Sequence, residues 1–196
     1  MEIVIATKNE GKIREIRQAL DIAGIVFRTF KDFNDWPEAE ETGDTLQENA
    51  LIKALVLRNR YKLPALADDS GLMVDRLDGR PGVSSSRYAG PEGDSERNMA
   101  LLLEEMKAVP EDERSARFVS VLALAVPDGD VHVTRGECAG VILKKRKGAG
   151  GFGYDPIFQP SGYDRSMAEL SLAEKNAVSH RGQALRAMKE IIAGLG

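Results

Sequence analysis

Between residues 3 and 20 the hydrophobic period changes once. Ile3-Val4-Ile5-Ala6 is an unbroken apolar run, the polar stretch Thr7-Lys8-Asn9-Glu10-Gly11-Lys12 follows, and Ile13, Ile16 and Leu20 then recur at helical spacing. A contiguous β-branched run suits a strand, and a recurrence every three to four residues suits a helix that buries one face. The chain therefore opens as strand, loop, helix, and an α/β fold is the first expectation.

The rest of the chain extends that pattern. Ile25 to Phe27 offers a second short strand. The acidic, Pro-bearing segment from Lys31 to Gly43 reads as a loop, and Asp44 or Thr45 caps a helix that carries Leu46, Ala50, Ala54 and Leu57 on one face and ends near Tyr61. Pro64 to Ala67 predicts a buried strand that ends in Asp68-Asp69-Ser70-Gly71, with Leu72 to Val74 apolar again beyond it. Gly79 to Gly93 is loop, and Asp94 or Ser95 caps a helix with Met99, Leu102, Leu103 and Met106 as its stripe. Phe118 to Val126, the turn Pro127-Asp128-Gly129-Asp130, Val131 to Thr134 and Glu137 to Leu143 predict a three-stranded meander. Ser171-x-x-Glu174 and Ser179 mark the starts of two closing helices, the last running to Ile192. Interleaved helices and strands followed by a meander predict an elongated, mixed, twisted β-sheet flanked by helices, in two lobes with a central active-site cleft, all within one domain over 1–196.

Composition narrows the function classes. Lys and Arg number 27 against 31 Asp and Glu, a net charge of −4, so the chain as a whole is not built to bind nucleic acid or an anionic membrane, and an anionic ligand needs a local site. The basic run Lys144 to Lys147 reads as a solvated edge or a steering patch. The one cysteine, Cys138, cannot form an intramolecular disulfide or a cysteine-based zinc site. The apolar N-terminal run is too short for a signal-peptide core, and no stretch approaches the roughly 20 apolar residues of a membrane span, so the expectation is a cytoplasmic protein without a membrane.

Four constellations could carry chemistry. The loop Thr7 to Lys12 puts Gly11 and the cations Lys8 and Lys12 at a helix N-terminus, where backbone N–H groups favour phosphate; an ordinary polar loop would look similar. Glu40, Glu41, Asp68 and Asp69 supply hard oxygens from two segments, and Mg²⁺ takes only one or two protein carboxylates beside substrate phosphates and water. Adjacent Asp68 and Asp69 point to opposite sides of an extended chain, so one can serve a site while the other pairs structurally; which acid of each pair does so is open at this point. Gly148 to Pro156 formally contains G-x-G-x-x-G, but Pro156 and the strand-like Ile157-Phe158 follow it where a dinucleotide site needs a helix. Glycines around an exposed Phe152 and Tyr154 suit a loop that lies close to a ligand and stacks a ring on a flat base. Last, Lys175 and Ser179-His180-Arg181 bring cations to the closing helices. The two histidines, His132 and His180, give no support for a Ser-His-Asp triad.

In this order the motifs resemble the inosine/xanthosine triphosphate pyrophosphatases, the Ham1-like enzymes of non-standard purine nucleotides. The resemblance rests on Thr7-x-Asn9-x-x-Lys12, Glu41-Thr42-Gly43, Glu48-Asn49-Ala50-x-x-Lys53-Ala54, Ala67-Asp68-Asp69-Ser70-Gly71-Leu72, Pro81-Gly82-Val83, Ser86-Arg87-Tyr88-Ala89-Gly90, Gly151-Phe152-Gly153-Tyr154-Asp155-Pro156 and Ser179-His180-Arg181. It implies a homodimeric, Mg²⁺-dependent enzyme that cleaves ITP, dITP and XTP to the monophosphate and pyrophosphate, without a stable nucleic-acid complex. By the same resemblance Glu41 and Asp69 are metal ligands and Asp69 is the general base. By the resemblance Thr7, Asn9, Lys12 and Lys175 bind the triphosphate, Phe152 stacks on the base, and Asp155, His180 and Arg181 read its edge; Lys8, Gly11, Ser70, Gly153 and Tyr154 are further expected substrate contacts. Lys8, Ser84 and Ser86 depart from the family pattern. A Maf-like nucleotide pyrophosphatase would keep the acids and lysines without the Phe-Gly-Tyr-Asp and Ser-His-Arg motifs, and a nucleotide sensor would lose the acids.

Overall fold

The structure is a computed structural model and describes residues 1–195; Gly196, the last residue of the expected domain, lies outside them. Six strands form one mixed sheet in the order β2-β1-β3-β4-β5-β6, with β1 at Glu2–Ile5, β2 at Val26–Arg28, β3 at Ala65–Val74, β4 at Ser115–Ala125, β5 at Val131–Ile142 and β6 at Phe158–Pro160. β1 runs parallel to β2 and β3, with Ile3 opposite Phe27 and Ile5 opposite Leu66, whereas β5 and β6 are antiparallel. The parallel pairs follow from the helices between them: α1 (Glu10–Ala19) links β1 to β2, and α2 (Leu46–Tyr61) precedes β3. The expected mixed α/β architecture is therefore present. No helix among the described residues is long and apolar enough to cross a membrane.

Caps set the helix starts. Asn9 caps α1 by accepting the Lys12 N–H at 3.0 Å, and Thr45 and Glu48 close a reciprocal capping box on α2. Asp94 caps α3 (Ser95–Glu105), and Ser171 with Glu174 boxes α4 (Leu172–Val178), which α5 (His180–Ala193) follows.

The chain divides into two compact units. The first comprises, among the described residues, Met1–Asp69, Ser120–Gly136 and 181–195; the second comprises Ser70–Val119 and Glu137–His180. The first has a core of Ile3, Ile5, Ile13, Ile16, Leu66, Leu122 and Leu185 among others. The second packs Leu72, Met99, Leu102, Met106, Phe118, Ile157 and Phe158, so Met99 and Met106 are core residues as their spacing requires. Each such side chain contributes about 1.5–3 kcal/mol by leaving water.

Two expectations are corrected. Asp68-Asp69-Ser70-Gly71 does not end a strand: β3 continues through it, because both acids find cationic partners and the backbone needs no turn to reach water. The predicted meander also has one strand fewer. Val131 to Ile142 is a single strand that alternates exposed and buried over its last nine positions, so Arg135 and Glu137 lie on its exposed face and no break falls between them.

Candidate active site

In the first unit β3 aims its two acids at different partners. Asp68 is buried, and Arg181 Nε reaches its Oδ2 at 2.9 Å while Nη2 reaches Oδ1 at 3.3 Å; Ser120 Oγ donates to Oδ2 at 2.8 Å and Lys12 Nζ lies 2.6 Å from Oδ1. Burial opposes its charge, but the Arg181 and Lys12 cations hold its carboxyl well below the usual range. Asp69 instead meets Lys53 Nζ at 2.6 Å, and the same ammonium lies 3.2 Å from Glu41 Oε1. Burial pushes the Asp69 carboxyl up, with the Glu41 charge adding to it against Lys53 and Lys12. Burial also disfavours the Lys53 charge, yet Asp69 and Glu41 raise its pKa overall. Asp69 Oδ2 is buried and has no hydrogen-bond partner among the described residues. Such an atom costs free energy until a donor or cation arrives.

These contacts separate the paired acids. Asp69 and Glu41 converge through Lys53, whereas Asp68 is enclosed in a structural ion network and Glu40 is exposed. Lys53, Glu15 and Ser120 join this cluster although the sequence motifs assigned them no role. Lys53 could have been found from its place on the buried face of α2, where a lysine requires a counter-charge.

The loop from Thr7 to Lys12 leads into the start of α1. Thr7 Oγ1 accepts the Asn9 N–H at 3.1 Å, which folds the loop back on itself. Gly11 is buried, Lys12 turns inward to Asp68, and Lys8 reaches an exposed Glu38 at 3.4 Å, a contact worth little in water.

Arg181 differs from its expected place. Besides the fork on Asp68, its Nη1 donates to Glu15 Oε2 at 2.6 Å, and only 1% of the residue is exposed. The structure thus places this guanidinium in a buried ion pair instead of at an open base-reading edge.

The second unit gathers the aromatic loop. Phe152 is half-buried; its N–H donates to Asp155 Oδ2 at 2.8 Å, and Lys175 Nζ reaches the same oxygen at 2.5 Å while lying 4.6 Å from the Phe152 ring centroid. Lys175, expected on the phosphate side, therefore contacts the ring and Asp155. A Cβ on Gly151, at φ +72°, would lie 2.1 Å from Asp155 Oδ2, and Gly153 has φ +61°, so both glycines are required for this loop path. Tyr154 is not exposed: its ring is buried and its hydroxyl donates to the Ser85 carbonyl at 2.9 Å, which anchors the loop to the core. His180 is buried and stacks on Phe118 with centroids 4.8 Å apart and planes 12° apart. Ser70 is a half-buried residue of β3.

A family model described as the Ham1 family matches residues 3–191. The chain belongs to the Ham1 family. Among curated Ham1-like relatives, the dITP/XTP pyrophosphatase of Geobacter sulfurreducens is 52% identical over 188 residues, covering 96% of this chain and 94% of the relative. That of Geobacillus kaustophilus is 47% identical, covering 100% and 98%. Of solved Ham1 structures, one from Coxiella burnetii superposes with a TM-score of 0.89 at 41% identity and 99% coverage of both chains. The Staphylococcus aureus Ham1 protein gives 0.88 at 35% identity and covers both chains fully.

Proposed function

We propose that this Ham1-family chain hydrolyses ITP, dITP and XTP to the nucleoside monophosphate and pyrophosphate, using Mg²⁺, and so keeps these nucleotides out of DNA and RNA. The relatives named dITP/XTP pyrophosphatase support the reaction class. The observation that carries the chemistry is Asp69: a carboxylate on a central strand, raised by burial, joined to Glu41 through Lys53, with one oxygen buried and unpartnered.

Phosphoanhydride hydrolysis needs charge neutralisation and a positioned water more than a protein nucleophile. Asp69 takes the proton of the attacking water as the α–β anhydride is cleaved and pyrophosphate departs. A carboxylate whose pKa is raised is better matched to that task than one held low, so Asp69 is the base and Asp68 the anchor. Lys53 and Lys12 lie on the reacting side, each paired with a carboxylate, and Thr7, Asn9 and the backbone at the start of α1 bind the phosphate chain.

The donor set fits Mg²⁺. No cluster of three metal-binding side chains exists among the described residues, but this ion takes one or two carboxylates and fills its shell with phosphate and water. Glu41 and Asp69 would hold it, and when bound it supplies positive charge to the phosphates. The unpartnered Asp69 Oδ2 supports this fit.

The Phe152 loop reads the base. Phe152 stacks on the purine, with Lys175 and Asp155 fixing its ring and backbone. Discrimination at the base edge needs a donor to O6, which the adenine amine would oppose; of the expected edge residues His180 can donate, while the Asp155 carboxylate is held by Lys175 and the Phe152 N–H. The same reading includes a homodimer, which a molar-mass measurement in solution tests. Product analysis tests the reaction: ITP should yield IMP and pyrophosphate, whereas IDP and orthophosphate would reject it.

A further inference from the structure

Asn49 and Gly43 close a pair of hydrogen bonds. Asn49 Oδ1 accepts the Gly43 N–H at 2.8 Å, and Asn49 Nδ2 donates to the Gly43 carbonyl at 3.3 Å. A side-chain amide can do this because it carries both a donor and an acceptor, the same pair that a neighbouring strand would offer. The backbone it satisfies belongs to residues 33–45, which form neither helix nor strand and so have no ladder of their own. Asn49 itself is fully buried on α2.

The position of this clamp gives it meaning. Glu41 lies two residues before Gly43, and Lys53, which binds the Glu41 carboxylate, lies four residues after Asn49 on the same face of α2. One helix face thus holds the acidic segment twice, once by backbone and once by side chain. The approach is close: a Cβ on Gly43 would lie 2.5 Å from Glu48 Cβ and 2.9 Å from Asn49 Oδ1. Only glycine lets the segment sit against the helix at this point.

We propose that Asn49 is a positioning residue for Glu41, fixing the backbone from which that carboxylate is presented beside Asp69. The proposal rests on the reading of Glu41 and Asp69 as metal ligands. An anchored ligand loses less freedom when it coordinates, and removal of a group that orients a ligand typically costs about 10- to 100-fold in metal affinity. Asn49→Ala removes both hydrogen bonds and leaves Lys53, Glu41 and Asp69 chemically intact.

Mn²⁺ binding to the metal-free full chain, followed by the EPR signal of the free ion, tests this in wild type, Asn49→Ala, Glu41→Gln and the double variant. The expected result is that each single variant binds about tenfold more weakly and that the double variant binds no more weakly than Glu41→Gln, because Asn49 acts through Glu41. Gly43→Ala, which displaces the segment while keeping Asn49, should show the same loss and carries the test if Asn49→Ala does not fold. Wild-type affinity in Asn49→Ala or in Gly43→Ala, or an additive loss in the double variant, overturns the role of Asn49 while the metal reading stands. Unchanged affinity in Glu41→Gln overturns both.

Discussion

Arg181 Nε lies 2.9 Å from Asp68 Oδ2, and the two residues are 113 positions apart in the chain. The contact joins the first turn of α5 to the central strand β3, and Glu15 on α1 completes a buried group of two carboxylates around one guanidinium. Lys12 adds a second cation to Asp68 at 2.6 Å. The start of α1, the central strand and the closing helix are thereby fixed to one another by charge.

Arg181→Ala should accordingly lower kcat/KM for ITP and ATP by the same factor and cost about 3–5 kcal/mol of stability, the usual penalty for leaving buried charges unpaired. Thermal unfolding and kinetics on both substrates check this. A selective loss of ITP turnover in a normally stable variant would return Arg181 to the base edge.

The adjacent acids of β3 should have their pKa values shifted in opposite directions in the metal-free protein. Burial raises Asp69, so its ionisation costs stability as pH rises through its folded pKa; Asp68, despite burial, is held low by Arg181 and Lys12, so it contributes stability above its unfolded pKa, about 3.9, and loses it as pH falls through the folded value. Carboxyl ¹³C chemical shifts followed against pH, with Asp69→Asn for assignment, should show one midpoint above that value and one below it. Two coincident midpoints would contradict the separate environments.

Much of this arrangement was legible in the sequence, for identifiable reasons. The β1-loop-α1 unit, the Thr45 cap and the Ser171 box depend on neighbours within four residues, so local pattern reveals them. Glu15 reads locally as a helix-surface acid, and its partner is 166 residues away, so nothing near it announces its burial. Asp-Asp-Ser-Gly has turn composition, and only the arrival of Lys12, Arg181 and Lys53 lets it continue as a strand. Tyr154, flanked by glycine and aspartate, looks exposed from local sequence because its partner, the Ser85 carbonyl, is 69 residues away.

Lys175 should act on the base side of the substrate. Lys175→Met keeps an unbranched chain against Phe152 but removes the cation that holds the ring and Asp155. Inhibition by IMP should weaken about 10- to 100-fold, in line with loss of a buried charge-assisted contact. Inhibition by inorganic pyrophosphate should stay within about twofold, since the loss of a base-side contact leaves the phosphate contacts in place. Equal weakening of both inhibitors would assign Lys175 to phosphate.

The most direct test of the central claim compares kcat/KM for XTP, dITP, ATP and GTP, with pyrophosphate release as the readout, in wild type and Asp69→Asn at saturating Mg²⁺. The expected result is a wild-type preference for XTP and dITP over both standard nucleotides, and a fall of about 10²- to 10⁴-fold in Asp69→Asn, which keeps its shape but can no longer accept a proton. Equal turnover of all four nucleotides, or a variant as active as wild type, would contradict it.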